Sequence, residues 1–290
     1  MGTSTSSKGS PGRVPMVPPW VPPLPPPPPP EPEEETEEGK PDEKPESKPE
    51  GPKPAPPPKP GPIPIAPDRR FATARGAAGR FAESGRALDM KRSVGRYIGS
   101  GYGGAPTATQ RFGGTIENAG ALYSALSPGE GAAIDAVSRR LNRDLLVGRS
   151  ATEIMDAVVE AVRPGDSTLD GEASRWAIKG SLSEVLQRFP DANLLELTDE
   201  QRLFAIERYV ALDVFQRYEL DIGKTIQDRA QSSATALSRL KDIKEYIRET
   251  VAAAFRKLRK TAQRLSSERV SSIVHSALFQ ALQTFENEGA

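Results

Sequence analysis

The chain has no cysteine and a single histidine, His275. The first absence removes disulfides, thiolate nucleophiles and zinc–thiolate sites. With no second histidine, the residues offer no His/Cys metal cluster and no Cys–His or Ser–His–Asp arrangement. His275 flanks Val274 on a stretch of helical periodicity and reads as a surface or core-edge residue. No apolar run is long enough to span a bilayer, and the start lacks the apolar core of a signal peptide. Together these absences predict a soluble protein of the reducing cytoplasm with no membrane partner. There is no GxxxxGK[ST] loop. The carboxylate pairs Asp170/Glu172 and Asp199/Glu200 stand at expected helix starts, where the helix dipole accounts for them. No catalytic residue, metal ligand or cofactor is expected, and an enzyme is the less favoured class.

Proline is scarce in one part of the chain and dense in another. Of 29 prolines, 25 lie at or before Pro67, and only Pro106, Pro128, Pro164 and Pro190 follow. Residues 22–68 therefore read as a disordered Pro/Glu/Lys-rich linker of polyproline II character, extended at about 3.1 Å per residue. It serves as a spacer or as a docking segment for a polyproline-reading groove. Net charge is zero, but Glu31–Glu50 holds ten acids against three lysines. Arg69–Gly113 holds nine basic residues against Glu83 and Asp89. The acidic tract is a self-repelling spacer, and any attraction to the basic block would be screened by salt.

From residue 69 the signals are helical. Ala87–Ser100, with Leu88, Val94, Tyr97 and Ile98, reads as a basic amphipathic helix. Gly99, Gly101 and Gly104 satisfy GxGxxG literally, but no strand precedes them, so they read as a helix end and turn. Ser127-Pro-Gly-Glu130 predicts the start of a helix over Ala132–Leu146. Ser150-Ala-Thr-Glu153 opens Ile154–Val162, stopped by Pro164-Gly165. Asp170–Phe189 follows, with a possible break at Gly180. Thr198-Asp-Glu-Gln201 opens a helix whose buried stripe is Leu203, Ile206, Val210, Val214, Phe215 and Tyr218.

The last helix is expected to be the longest. Its apolar positions 237, 240, 243, 247, 251, 254, 258, 262 and 265 step at the period of a bundle seam. The pattern resumes at Val270, Ile273, Val274, Leu278, Leu282 and Phe285. The predicted fold is all-α: a helical bundle with a long C-terminal helix behind a disordered Pro-rich arm. Four segments follow: an N-terminal peptide (1–21), the linker (22–68), a basic Arg/Gly-rich helical segment (69–114) and the bundle (115–290).

Two stretches carry functional candidates. In the basic block, Arg92, Arg96, Tyr97 and Arg111 stand among interleaved aromatics, as in segments that contact single-stranded nucleic acid. The alternative is that these arginines snorkel around a helix packed on the body or on a partner. At the other end, Gly2 follows the initiator Met, whose removal leaves an unhindered α-amine. Near pH 7 about a tenth of such an amine is unprotonated and nucleophilic. Gly2 with Ser6 also fits an acylation pattern, but a single acyl chain binds membranes marginally and the neighbouring tract is acidic.

The blocks MGTSTS, VPMVPPWVP, RSVGRYIGSGYGG and RFGG, in Met1–Val21 and about Phe81–Gly114, resemble the QatB component of bacterial Qat anti-phage defence systems. The resemblance implies a non-catalytic subunit with three partners: an ATPase, a QueC-like enzyme and a TatD-like nuclease. It implies further that Gly2 accepts a deazaguanine-type group from the QueC-like partner. Thr3, Ser4, Val17 and Trp20 would then be recognition elements, with Trp20 the anchor. The alternative function is a nucleic-acid-binding component that uses the 69–112 block.

Overall fold

Helix caps legible in the sequence set the ends of the central helices. The computed structural model describes residues 69–127, 136–165, 168–259 and 267–289. Gly2, Thr3, Ser4, Val17, Trp20 and the linker lie outside them. Ser150 Oγ accepts from the Glu153 N–H while Glu153 accepts from the Ser150 N–H, opening α6 (Ala151–Val162). Thr198 and Gln201 form the same reciprocal cap on α8 (Asp199–Tyr218). Thr168 Oγ1 accepts from the Gly171 N–H and starts α7 (Leu169–Arg188). Such caps satisfy amides that the helix itself leaves unpaired, each worth about 1 kcal/mol.

The remaining helices are α1 (Ala72–Ser84), α2 (Ala87–Arg96), α3 (Ala105–Arg111), α4 (Gly113–Leu126), α5 (Ala136–Arg140), α9 (Lys224–Arg229), α10 (Ser233–Arg259) and α11 (Ser267–Gly289). No strand occurs among the described residues. Two five-residue π-turns interrupt the series, Tyr97–Gly101 after α2 and Glu219–Gly223 between α8 and α9. Helix α8 packs against α7, α10 and α4, and α11 packs against α2, α3, α4 and α10. One core runs from Phe71 in the basic segment to Phe285 in α11. The basic segment and the bundle therefore share a single interior, and α4 runs unbroken across residue 114.

Three expectations change in the structure. The helix expected to reach Leu146 ends at Arg140 and is followed by a 3₁₀ turn, Arg143–Leu146. The cause is Arg143, whose guanidinium turns inward to donate to the carbonyls of Ala125, Ser127 and Leu195. Ser127 ends α4 and donates its hydroxyl to the Tyr123 carbonyl; the helix start expected at Pro128–Glu130 lies outside the described residues. The C-terminal seam is divided between two helices. Tyr246 of α10 meets Phe285 and Glu288 of α11, while Ala254 faces Gln280, so the pair is antiparallel. Leu240, Ile243, Ile247, Val251 and Ala254 are buried as the period requires, but Leu237 is exposed. At 27 residues α10 is the longest helix among the described residues. Gly180 does not break α7; it lies against Leu212 of α8.

The α2–α11 crossing depends on glycine. A methyl group at Gly95 would meet the Gly289 Cα and sit 2.5 Å from the Phe285 carbonyl oxygen, both rigid backbone. Helix propensity alone favours Gly95→Ala by about 1 kcal/mol. Overpacking against backbone costs up to about 3 kcal/mol, so the expected net effect is a loss of about 2 kcal/mol. Chemical denaturation measures it, and a stabilised G95A variant would contradict the close crossing.

Candidate functional site

The described chain begins beside the two π-turns, and this junction is the candidate site. Phe71 is buried and stacks on Tyr97, with ring centroids 5.0 Å apart. Tyr97 in turn meets Tyr102 and Tyr218 edge-on at 5.1 and 5.2 Å, and Tyr102 touches Phe112 at 5.4 Å. The widened π-turn aims Tyr97 across the bundle, where its hydroxyl donates to Asp221 Oδ2 at 2.9 Å. Asp221 belongs to the other π-turn, so each bulge presents a polar group to its counterpart. Such bulges recur where a helix must re-aim side chains.

Arginines complete the junction. Arg75 donates from Nε and Nη2 to the Asp221 carbonyl at 3.2 and 3.0 Å, tying α1 to the second π-turn. The Arg70 guanidinium lies 4.3 Å from the Phe71 ring centroid and 5.4 Å from that of Tyr102. Beneath this, Ser93 donates to the Ala74 carbonyl at 3.1 Å. Having spent its one proton there, Ser93 accepts from the Tyr218 hydroxyl at 2.6 Å. Burial raises the Tyr97, Tyr102 and Tyr218 hydroxyls above the ordinary phenol range. These phenols therefore stay protonated at neutral pH and act as donors in a clamp.

Burial also raises the Asp221 carboxyl above its ordinary value, with the Tyr97 hydrogen bond and Arg70 opposing the shift. An acid raised in the folded state contributes stability below its unfolded pKa of about 4. That contribution is lost as pH rises through the folded pKa. Asp221→Asn keeps an acceptor for Tyr97 and removes the buried charge. It is therefore expected to hold or raise stability at pH 7 and to flatten the stability profile just above pH ~4. A marked loss of melting temperature at pH 7 would show that the charge itself binds Arg70 and Arg75.

The structure separates the sequence candidates. Tyr97, expected with Arg92, Arg96 and Arg111 to contact nucleic acid or a partner, is 1% exposed and bound to Asp221, so it reaches neither. Phe71, Phe81 and Phe112 are buried as well, which withdraws these rings from any stacking on bases. Arg92 and Arg96 lie one turn apart on α2, half-buried, and Arg111 closes α3. Arg80 pairs with Asp89 at 3.4 Å and Lys91 with Glu288 at 3.0 Å. His275 is exposed on α11. At the GxGxxG stretch Gly103 and Gly104 take positive φ, and the Ala105 N–H donates to Glu286 Oε2 at 2.9 Å. A carboxylate of the chain itself thus sits where a phosphate would bind.

Sequence reasoning missed Asp221 and a second polar cluster beneath α8. Asp213, fully buried, accepts from the Thr115 hydroxyl, from Ser174 Oγ at 2.6 Å and from Arg217 Nε at 3.1 Å. Arg217 also holds Asp170 at 2.8 Å. Asp213 stands among apolar positions of the α8 stripe, and an acid inside such a stripe was the available signal.

A family model described as the Qat anti-phage system associated protein QatB matches residues 103–285. The chain belongs to the QatB family. The match spans more than half of the chain and runs from the second glycine pair through α11, so anti-phage defence is the process in which this bundle takes part. Other components of the Qat system are the partners this membership points to. Only residues 103–114 of the match overlap the blocks that carry the sequence resemblance. No curated protein and no solved structure matches the chain. No described helix is long and apolar enough to cross a membrane.

Proposed function

We propose that this QatB-family chain is a non-catalytic adaptor of the Qat assembly that presents Gly2 as the acceptor for a deazaguanine-type group. The donor is the QueC-like partner, which uses ATP to convert a deazaguanine carboxylate into its acyl adenylate; the Gly2 amine attacks that carbonyl, the amide C–N bond forms, AMP leaves, and the amine proton passes to solvent. The ATPase and the TatD-like nuclease complete the partner set. The observation that carries this reading is the MGTSTS start, a glycine amine followed by small polar residues, on a QatB-family body. The junction at Phe71, Tyr97 and Asp221 supports it, because those groups bind one another and serve as an anchor for the body's first helix. Mass spectrometry of the N-terminal peptide, purified with and without the neighbouring genes, tests it. A mass added at Gly2 only when the QueC-like partner is present is expected. An unmodified glycine in both samples would sink the acceptor role.

One observation favours a second reading. Among the described residues, Arg92 and Arg96 make no ion pair or side-chain hydrogen bond, and they share one face of α2. Were they phosphate contacts, nucleic-acid affinity would fall steeply with salt and be lost on substituting both. Binding indifferent to both changes removes this reading.

A further inference from the structure

The outward face of α7 carries a pattern that the adaptor role does not use. Leu169, Glu172, Trp176 and Lys179 follow one another at helical spacing and all face solvent. Leu169 is 76% exposed and Trp176 49%, and Leu220 of the second π-turn, also 49% exposed, joins them. These residues, with Val159 and Gln216, line a groove of about 490 Å³ between α6, α7 and the end of α8. Isolated apolar residues are normal on a surface, but a tryptophan grouped with two leucines marks a contact site.

The charges around the groove say what fits it. Glu172 precedes Lys179 by two helical turns, and the midpoint between them falls at Arg175 and Trp176. A two-fold axis through that midpoint lays α7 antiparallel on α7 of another molecule. Glu172 then faces Lys179 of the second copy, Lys179 faces its Glu172, and the two Trp176 side chains come together at the centre. Self-complementarity of this kind is what a two-fold interface requires, and an unrelated partner would not demand it. Both charges have solvent-exposed partners that they can exchange. Lys179 now pairs with Asp156 at 2.6 Å, with 46% and 58% side-chain exposure. Glu172 lies 3.7 Å from Arg175 and is itself 64% exposed. Exposed pairs of this sort are worth little and are readily shared.

We propose that this face of α7 binds the same face of a second copy of the chain, forming an isologous dimer centred on Trp176. The proposal is independent of Gly2. Sedimentation equilibrium of the full chain tests it, because it reports mass and is insensitive to shape. Between about 1 μM and 1 mM, the mass is expected to rise from the 31.2 kDa of one chain toward twice that value. Trp176→Glu is expected to stay monomeric with unchanged circular dichroism, since the position is exposed. Glu172→Lys and Lys179→Glu are each expected to weaken the dimer at least about tenfold by placing like charges opposite each other, and the double variant to restore it. A monomer at every concentration, a dimer that survives Trp176→Glu, or a double variant as weak as the single ones overturns the proposal.

Discussion

Asp213→Ala is expected to remove about 3–5 kcal/mol of stability, the cost of breaking a buried ionic network by deleting one partner. The carboxylate has no exposure to solvent and is the common acceptor for Thr115, Ser174 and Arg217. Alanine leaves two buried hydroxyls and one side of a guanidinium without an acceptor, each a desolvation cost with no return. A domain typically has about 5–15 kcal/mol in total, so the variant should melt roughly 6–20 °C below the parent. Asp213→Asn keeps the volume and one carbonyl acceptor, and Arg217 retains Asp170, so its loss should be smaller. Thermal denaturation of both variants checks the ordering. A cost below about 1 kcal/mol for Asp213→Ala would mean the network is not closed as described.

Deleting residues 2–20 is expected to abolish protection against phage while leaving the helical body intact. The two halves of that expectation have different sources. The folding half rests on the core of the described residues, whose members run from Phe71 to Phe285. The functional half follows from the proposed acceptor role of Gly2 and the recognition role of Thr3, Ser4, Val17 and Trp20. Plating efficiency of phage on cells carrying the system with the truncated chain measures the second. Circular dichroism and melting temperature measure the first. Full protection by the truncated chain would remove the arm from the mechanism and leave the body as the functional part.

Both predictions turn on the division between local and long-range information. Helix starts were legible wherever a side chain three residues away closes the cap, as at Ser150–Glu153 and Thr198–Gln201. The stop at Pro164-Gly165 was legible because proline lacks the N–H and turns the residue before it out of the helical region. The α5 region was misread because its end is set by Arg143 reaching carbonyls at Ala125 and Leu195, which no local pattern encodes. The seam from 237 onward has one period on both sides of residues 260–266, so periodicity alone could not reveal a hairpin. The sequence places Tyr97 both on the apolar spacing of residues 87–100 and among interleaved arginines, and local pattern does not choose between the two. The burial of Tyr97 depends on Asp221, 124 positions away. The family match lies largely in the part of the chain where no short motif stands out, since a bundle family is conveyed by many dispersed packing positions.

By itself the sequence determined the all-α class, the capped helix starts at Ser150 and Thr198, and the place where proline gives way to helical signals. These rest on interactions within a few residues, or on composition, and need no fold to be evaluated. The tertiary structure alone decided that α10 and α11 fold back on each other and that the two π-turns meet. It alone buried Tyr97 and Asp213 and left Trp176 half exposed beside Lys244. Each of these depends on which helices become neighbours, a choice made by the packing of the whole core.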